Sequence, residues 1–89
     1  MNEKLIVALD YAYENEAREL VSQLDDAVSY YKVGLELFLN TRGSIIDYLK
    51  HCGKKVFLDL KFHDIPNTVA QAAAWAASFG VDMFTLHAS

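Results

Sequence analysis

One cysteine, one proline and four glycines in 89 residues close off several architectures at once. With Cys52 alone there is no disulfide framework and no paired zinc spacing, and a reduced, cytoplasmic setting is the simplest expectation. Basic residues form no block. Eight Lys and Arg stand against twelve Asp and Glu, for a net charge of −4, so no nucleic-acid or anionic-membrane surface is expected. No apolar run approaches the ~20 residues that span a bilayer. The opening MNEKLIVALD lacks the long apolar region and small-residue cleavage site of a secretory signal. What is plentiful is apolar side chain. At 53% hydrophobic the chain can build one small core, a single domain over residues 1–89.

Low-complexity segments and linkers are absent, and two apolar patterns alternate instead. KLIVALD (Lys4 to Asp10) has strand length, and ENEARELVSQL (Glu14 to Leu24) follows with helical spacing at Ala17, Leu20, Val21 and Leu24. SYYKVG is β-prone and is punctuated by Gly34. A helical stretch comes next, broken near Gly43, resuming through Ile45, Ile46 and Leu49, and stopped at Gly53. KVFLDL is the third strand. Pro66 suits the first turn of an alanine-rich helix ended by Gly80, and VDMFTLH (Val81 to His87) is the fourth strand. The order βαβαβαβ, four strands and three helices, predicts an α/β fold with a parallel sheet.

Each expected strand ends in a polar group: Asp10, Lys32, the pair Asp59 and Lys61, and His87. In a parallel sheet all strand C-termini share one edge, where ligands bind in open sheets and barrels alike. The periodicity therefore predicts one polar site assembled from four strands. Residues two apart on a strand share a face, so Asp59 and Lys61 lie on one side, with Leu58 and Leu60 on the other. Lys32 is expected beyond Asp59, and Asp64 in the following loop. A row Lys32–Asp59–Lys61–Asp64 is nearly neutral as a unit, yet its fixed charges can stabilise charge that develops in a reaction. Lys61 is a candidate proton donor.

The competing reading makes Asp59 and Lys61 a buried ion pair that serves the fold. An array of four buried charges is a poor source of stability beside apolar packing, so a functional role is the better account. Other candidates are weaker. His63 beside Asp64 is a possible metal ligand but reads more simply as a surface group. Cys52 reads as a packed small hydrophobe, Trp75 and Phe79 as core, and Tyr30 and Tyr31 as strand packing. Asn67 and Thr68 begin a helix, where Thr68 can also reach a ligand.

LDLKFHDIPNT closely resembles the signature D-x-K-x-x-D-I-P-x-T of the orotidine 5′-phosphate decarboxylase family. VALD, KVG and LHAS at the other strand ends are similar to that family's pattern too, and the likeness runs along the whole chain. The resemblance implies a charged tetrad of Lys32, Asp59, Lys61 and Asp64. Lys61 would protonate C6 of the pyrimidine as carbon dioxide leaves, and Asp59 would face the departing carboxylate. Lys32 and Asp10 would hold ribose hydroxyls. Ile65 and Thr68 would contact substrate, and His87 would lie near it. Asp64 and Thr68 would reach the neighbouring subunit's site in a homodimer. No metal and no organic cofactor is implied.

A (β/α)8 barrel needs about 250 residues. The resemblance therefore implies an N-terminal half-barrel, with the phosphate-binding elements in a C-terminal half; Arg18 and Arg42 fall on helical or loop segments away from the strand ends. Two alternatives stay open. One is a Mg²⁺-dependent sugar-phosphate decarboxylase or synthase of the same superfamily, which shares D-x-K-x-x-D; IPNT favours the nucleotide enzyme. The other is a non-catalytic half-barrel that only self-associates.

Overall fold

The computed structural model describes residues 5–62, 74 and 76–88, with the backbone alone at 61, 62, 84 and 86–88. Its elements run β1 (Val7–Leu9), α1 (Glu14–Leu24), a 3-10 turn (Asp25–Ala27), β2 (Tyr30–Gly34), α2 (Leu35–Asn40), α3 (Ser44–His51), β3 (Lys55–Phe62) and β4 (Met83–Ala88). The four strands form one sheet in the order β1-β2-β3-β4, and every neighbouring pair is parallel. Each strand pairs with the next in sequence and the order never reverses. A barrel wall is wound this way, whereas a doubly wound sheet has a switch point.

Strand alternation sorts the side chains. Leu9, Tyr31, Val33, Val56, Leu58 and Leu60 are all at most 1% exposed. They meet Ala17 and Val21 of α1, Leu37 and Phe38 of α2, and Ile45, Ile46 and Leu49 of α3 in one cluster. In each helix the buried positions recur at a spacing of one, three or four, which places them on one face. The intervening strand residues Ala8, Lys32, Phe57, Asp59, Met83 and Thr85 are half-buried or exposed. Helices therefore cover one face of the sheet, and the other face is open among the described residues.

The stretch after Gly34 is two helices, α2 and α3, where one interrupted helical stretch was expected. The break has a steric cause. Arg42 and Gly43 both take positive φ (53° and 85°), and a Cβ at Gly43 would overlap the ring of Phe79. That ring also stands edge-on to Phe38, centroids 5.8 Å apart. Gly53 and Gly80 end their segments at φ 78° and 72°, as a glycine helix stop should.

Three further differences are local. The first strand begins at Val7 because its register with β2 begins at Val7–Tyr31; Leu5 and Ile6 lie before it and are exposed. The fourth strand begins at Met83 because Asp82 is engaged at the start of β3. Its carboxylate accepts from Val56 N–H (2.9 Å) and Lys50 Nζ (2.7 Å), and its own N–H donates to the Val56 carbonyl (2.9 Å). Cys52 is exposed, not packed, because it follows the last residue of α3, where the chain turns away from the core. Phe79 packs against the core and Tyr31 is fully buried, as expected. Trp75 and Pro66 lie outside the described residues.

Candidate active site

The open face is arranged in layers by the strand register. Ala8, Lys32, Phe57 and Met83 stand side by side in one layer. The next layer toward the strand ends holds Gly34, Asp59 and Thr85, and Asp10 follows Leu9 at the same level on the β1 side. Above that, Lys61 pairs with His87 in the backbone ladder. The expected convergence of strand-end groups is therefore a stack two to three layers deep. Lys32 lies one layer below Asp59.

Lys32 nevertheless reaches its partner. Two residues of offset amount to about 6–7 Å along a strand, a span that a four-carbon lysine stem can bridge. Its Nζ lies 3.8 Å from Asp59 Oδ2, with the two side chains 32% and 16% exposed. At that distance the pair is an ionic contact rather than a hydrogen bond. The other oxygen, Asp59 Oδ1, accepts a hydrogen bond from Thr85 Oγ1 at 3.1 Å. Asp59 is thus bounded by Lys32 from below and Thr85 from the β4 side. On the β2 side it faces Gly34, where even a Cβ would meet nothing within 4 Å.

Asp10 lines an open cleft of about 210 Å³ with Leu9, Tyr11, Gly34, Leu35, Glu36 and Leu37. Two strand spacings, about 9–10 Å, separate its position from that of Asp59. The loop that carries it is pinned at its far end, where Asn40 Nδ2 donates to the Ala12 carbonyl at 2.8 Å. Glu14 then accepts from Ser44 Oγ and from Arg18 Nε (2.6 Å), which ties the start of α1 to α3. Arg18 also lies 4.3 Å over the Tyr48 ring, and Arg42 sits in the turn before α3.

Asp10, Lys32 and Asp59 are thus gathered at one edge of the open face. Lys61 and His87 occupy adjacent backbone positions there. Asp64, Ile65 and Thr68, with His63 and Asn67, lie outside the described residues. Among the described residues no three His, Cys, Asp or Glu side chains come together as a metal site would require. The sequence reading missed Thr85. A threonine inside a strand reads as an ordinary β-former, and only the register with Asp59 reveals its place.

Comparison with known proteins follows the same outline. The model of the family described as "Orotidine 5'-phosphate decarboxylase / HUMPS family" matches residues 3–89. An orotidine 5′-phosphate decarboxylase of Carboxydothermus hydrogenoformans is 52% identical over 88 residues, covering 99% of this chain and 37% of that protein. Its Nostoc counterpart is 51% identical with the same coverage. Crystal structures of orotidine 5′-phosphate decarboxylase from Lactobacillus acidophilus (44% identity, TM-score 0.74) and Pyrococcus horikoshii (33%, 0.76) each cover 93% of this chain. They are themselves covered over 38% and 41% of their length. The chain spans well under half the length of these relatives.

Proposed function

The chain belongs to the orotidine 5′-phosphate decarboxylase / HUMPS family, and we propose that it forms the first four strands of a (β/α)8 barrel that converts orotidine 5′-monophosphate to uridine 5′-monophosphate and carbon dioxide in pyrimidine biosynthesis. The observation that carries this reading is the Asp59 carboxylate on β3. It stands on the open face between the Lys32 ammonium and the Thr85 hydroxyl, one same-parity position before Lys61.

In the proposed reaction Asp59 faces the substrate carboxylate. Repulsion raises the bound ground state, offset by binding at the phosphoribosyl end. The bond from C6 to the carboxylate breaks, carbon dioxide departs, and the electron pair stays on C6. The Lys61 ammonium stabilises that localised charge and gives it a proton. The resulting amine regains a proton from water, so the cycle needs neither metal nor organic cofactor. Lys32 and Asp10 hold ribose hydroxyls, and His87 lies beside the ligand. Asp64, Ile65 and Thr68 complete the site, Asp64 and Thr68 across a homodimer interface. The C-terminal part of the barrel supplies the phosphate contacts. A cytoplasmic setting belongs to the same reading, and no described helix is long and apolar enough to cross a membrane.

The test is loss of orotidine 5′-monophosphate absorbance with the full-length protein. Lys61→Ala should abolish turnover while the circular dichroism spectrum stays unchanged. Near-normal turnover in that variant would discard the mechanism. Turnover of a sugar phosphate that stops on chelation of Mg²⁺ would favour the other branch of the family. A self-associating chain without either activity, even beside its C-terminal part, would support the purely structural alternative.

A further inference from the structure

We infer that Thr85 is a positioning residue for Asp59: its hydroxyl sets the rotation of the carboxylate, so that one oxygen is held toward β4 and the other is presented toward Lys32. This inference rests on the decarboxylase reading above.

The register sets Thr85 directly beside Asp59. Thr85 and Asp59 are register partners on β4 and β3, and Gly34 is the partner on β2. Gly34 has no side chain to offer, and the space beside it is open. The hydrogen bond from Thr85 Oγ1 to Asp59 Oδ1 is 3.1 Å, at the long end for a hydroxyl donor, whereas Lys32 Nζ stands farther off at 3.8 Å from Oδ2. A hydroxyl locks a carboxylate plane through a directional bond, which a loose ionic contact does not. Loss of the hydroxyl removes that directional restraint from the carboxylate's terminal torsion, a broad and shallow rotor. The carboxylate then turns away from a substrate carboxylate, which relieves the repulsion on which the proposed step draws.

The experiment compares full-length wild type with Thr85→Val, which keeps the shape and the β preference but loses the donor, and with Thr85→Ser, which keeps the donor. Thr85→Val should lose about tenfold in kcat, the scale of one hydrogen bond to a charged group, with KM unchanged or lowered. Affinity for uridine 5′-monophosphate, which has no carboxylate at C6, should not move, and Thr85→Ser should restore most of kcat. A retained kcat in Thr85→Val, an equal loss in Thr85→Ser, or a parallel loss of uridine 5′-monophosphate affinity overturns the inference. Thr85→Ala serves as the donor-free variant if valine prevents folding. The carboxyl-carbon resonance of Asp59 gives a readout independent of turnover. It should shift in the donor-free variant and return in Thr85→Ser, and an unmoved resonance sinks the proposed bond. If the wild-type protein lacks decarboxylase activity, the reaction assignment fails while the resonance still decides what Thr85 does.

Discussion

Alternate residues of the same strands lead different lives on the two faces of this sheet. On the helix side, Tyr31, Val33, Val56, Leu58 and Leu60 are 0% exposed and belong to one apolar cluster. On the open side, Lys32, Asp59 and Thr85 are partly exposed and joined through Asp59 by polar contacts, while Met83, level with Lys32, is 45% exposed. The physical reason is the two-residue period of the strand, which hands neighbouring residues to opposite environments. Apolar burial is concentrated on one parity and polar contacts on the other. A strand such as VFLDLK can therefore be mostly apolar and still carry a charged site.

The contrast is sharpest at Leu58 and Asp59, adjacent in sequence and opposite in face. Leu58→Ala should cost about 2–5 kcal/mol in the full-length protein, since it empties a fully buried position between sheet and helices. Asp59→Asn should change the unfolding free energy, measured in urea, by less than about 1 kcal/mol, as befits a partly exposed ion pair, yet remove turnover. Equal stability losses at the two positions would break the division of labour between the faces.

A smaller effect probes the edge at the strand starts, away from the site. Burial opposes ionisation of Asp82, but the Lys50 hydrogen bond, the Val56 N–H and the Lys50 and Lys55 charges outweigh it. Together they hold its carboxyl below the usual carboxylate range. Because the folded value is depressed, its contribution is present above the ordinary carboxylate pKa and disappears as pH falls through the folded one. Asp82→Asn should cost about 1 kcal/mol or less at neutral pH and flatten the acid side of the stability curve without touching turnover. An unchanged acid limb, measured by urea unfolding from pH 6 to pH 3, would show that the clamp contributes nothing.

The smallest effect concerns a polar atom out of place on the helix side. Tyr31 is fully buried, and its hydroxyl has no hydrogen-bond partner among the described residues. Burial, followed by the neighbouring Tyr48 and Cys52, pushes its pKa upward. The folded state then favours the neutral phenol, so this contribution is intact below the ordinary value near 10 and fades as pH rises above it. Tyr31→Phe removes an unpaired polar group and should be neutral or stabilising by up to about 1 kcal/mol at pH 7, with a shallower alkaline decline. A clear destabilisation would reveal a partner for the hydroxyl and blur the contrast between the faces.

Much of this arrangement is legible in the chain alone. The helix over Glu14–Leu24 ends where its apolar period ends. Leu58 and Leu60 are buried opposite Asp59, as alternation requires. Boundaries were less legible. No local signal marks Leu5 and Ile6 as lying outside β1, since they are as apolar as the strand itself, and Cys52 reads as a core residue by type while standing exposed at a helix end. The break between α2 and α3 was visible as Gly43, but the ring of Phe79 that also demands a glycine there comes from 36 residues further along.

Periodicity and residue type are local properties, so the alternation of strand and helix, the parity of each strand residue and the family signature can all be read along one dimension. Register is not local. It is set by which residue of one strand faces which residue of the next, and that depends on how the intervening helix packs. Only the folded sheet could place Lys32 a layer below Asp59, leave Gly34 empty beside the carboxylate, and bring Thr85, 26 residues away in the chain, within 3.1 Å of it.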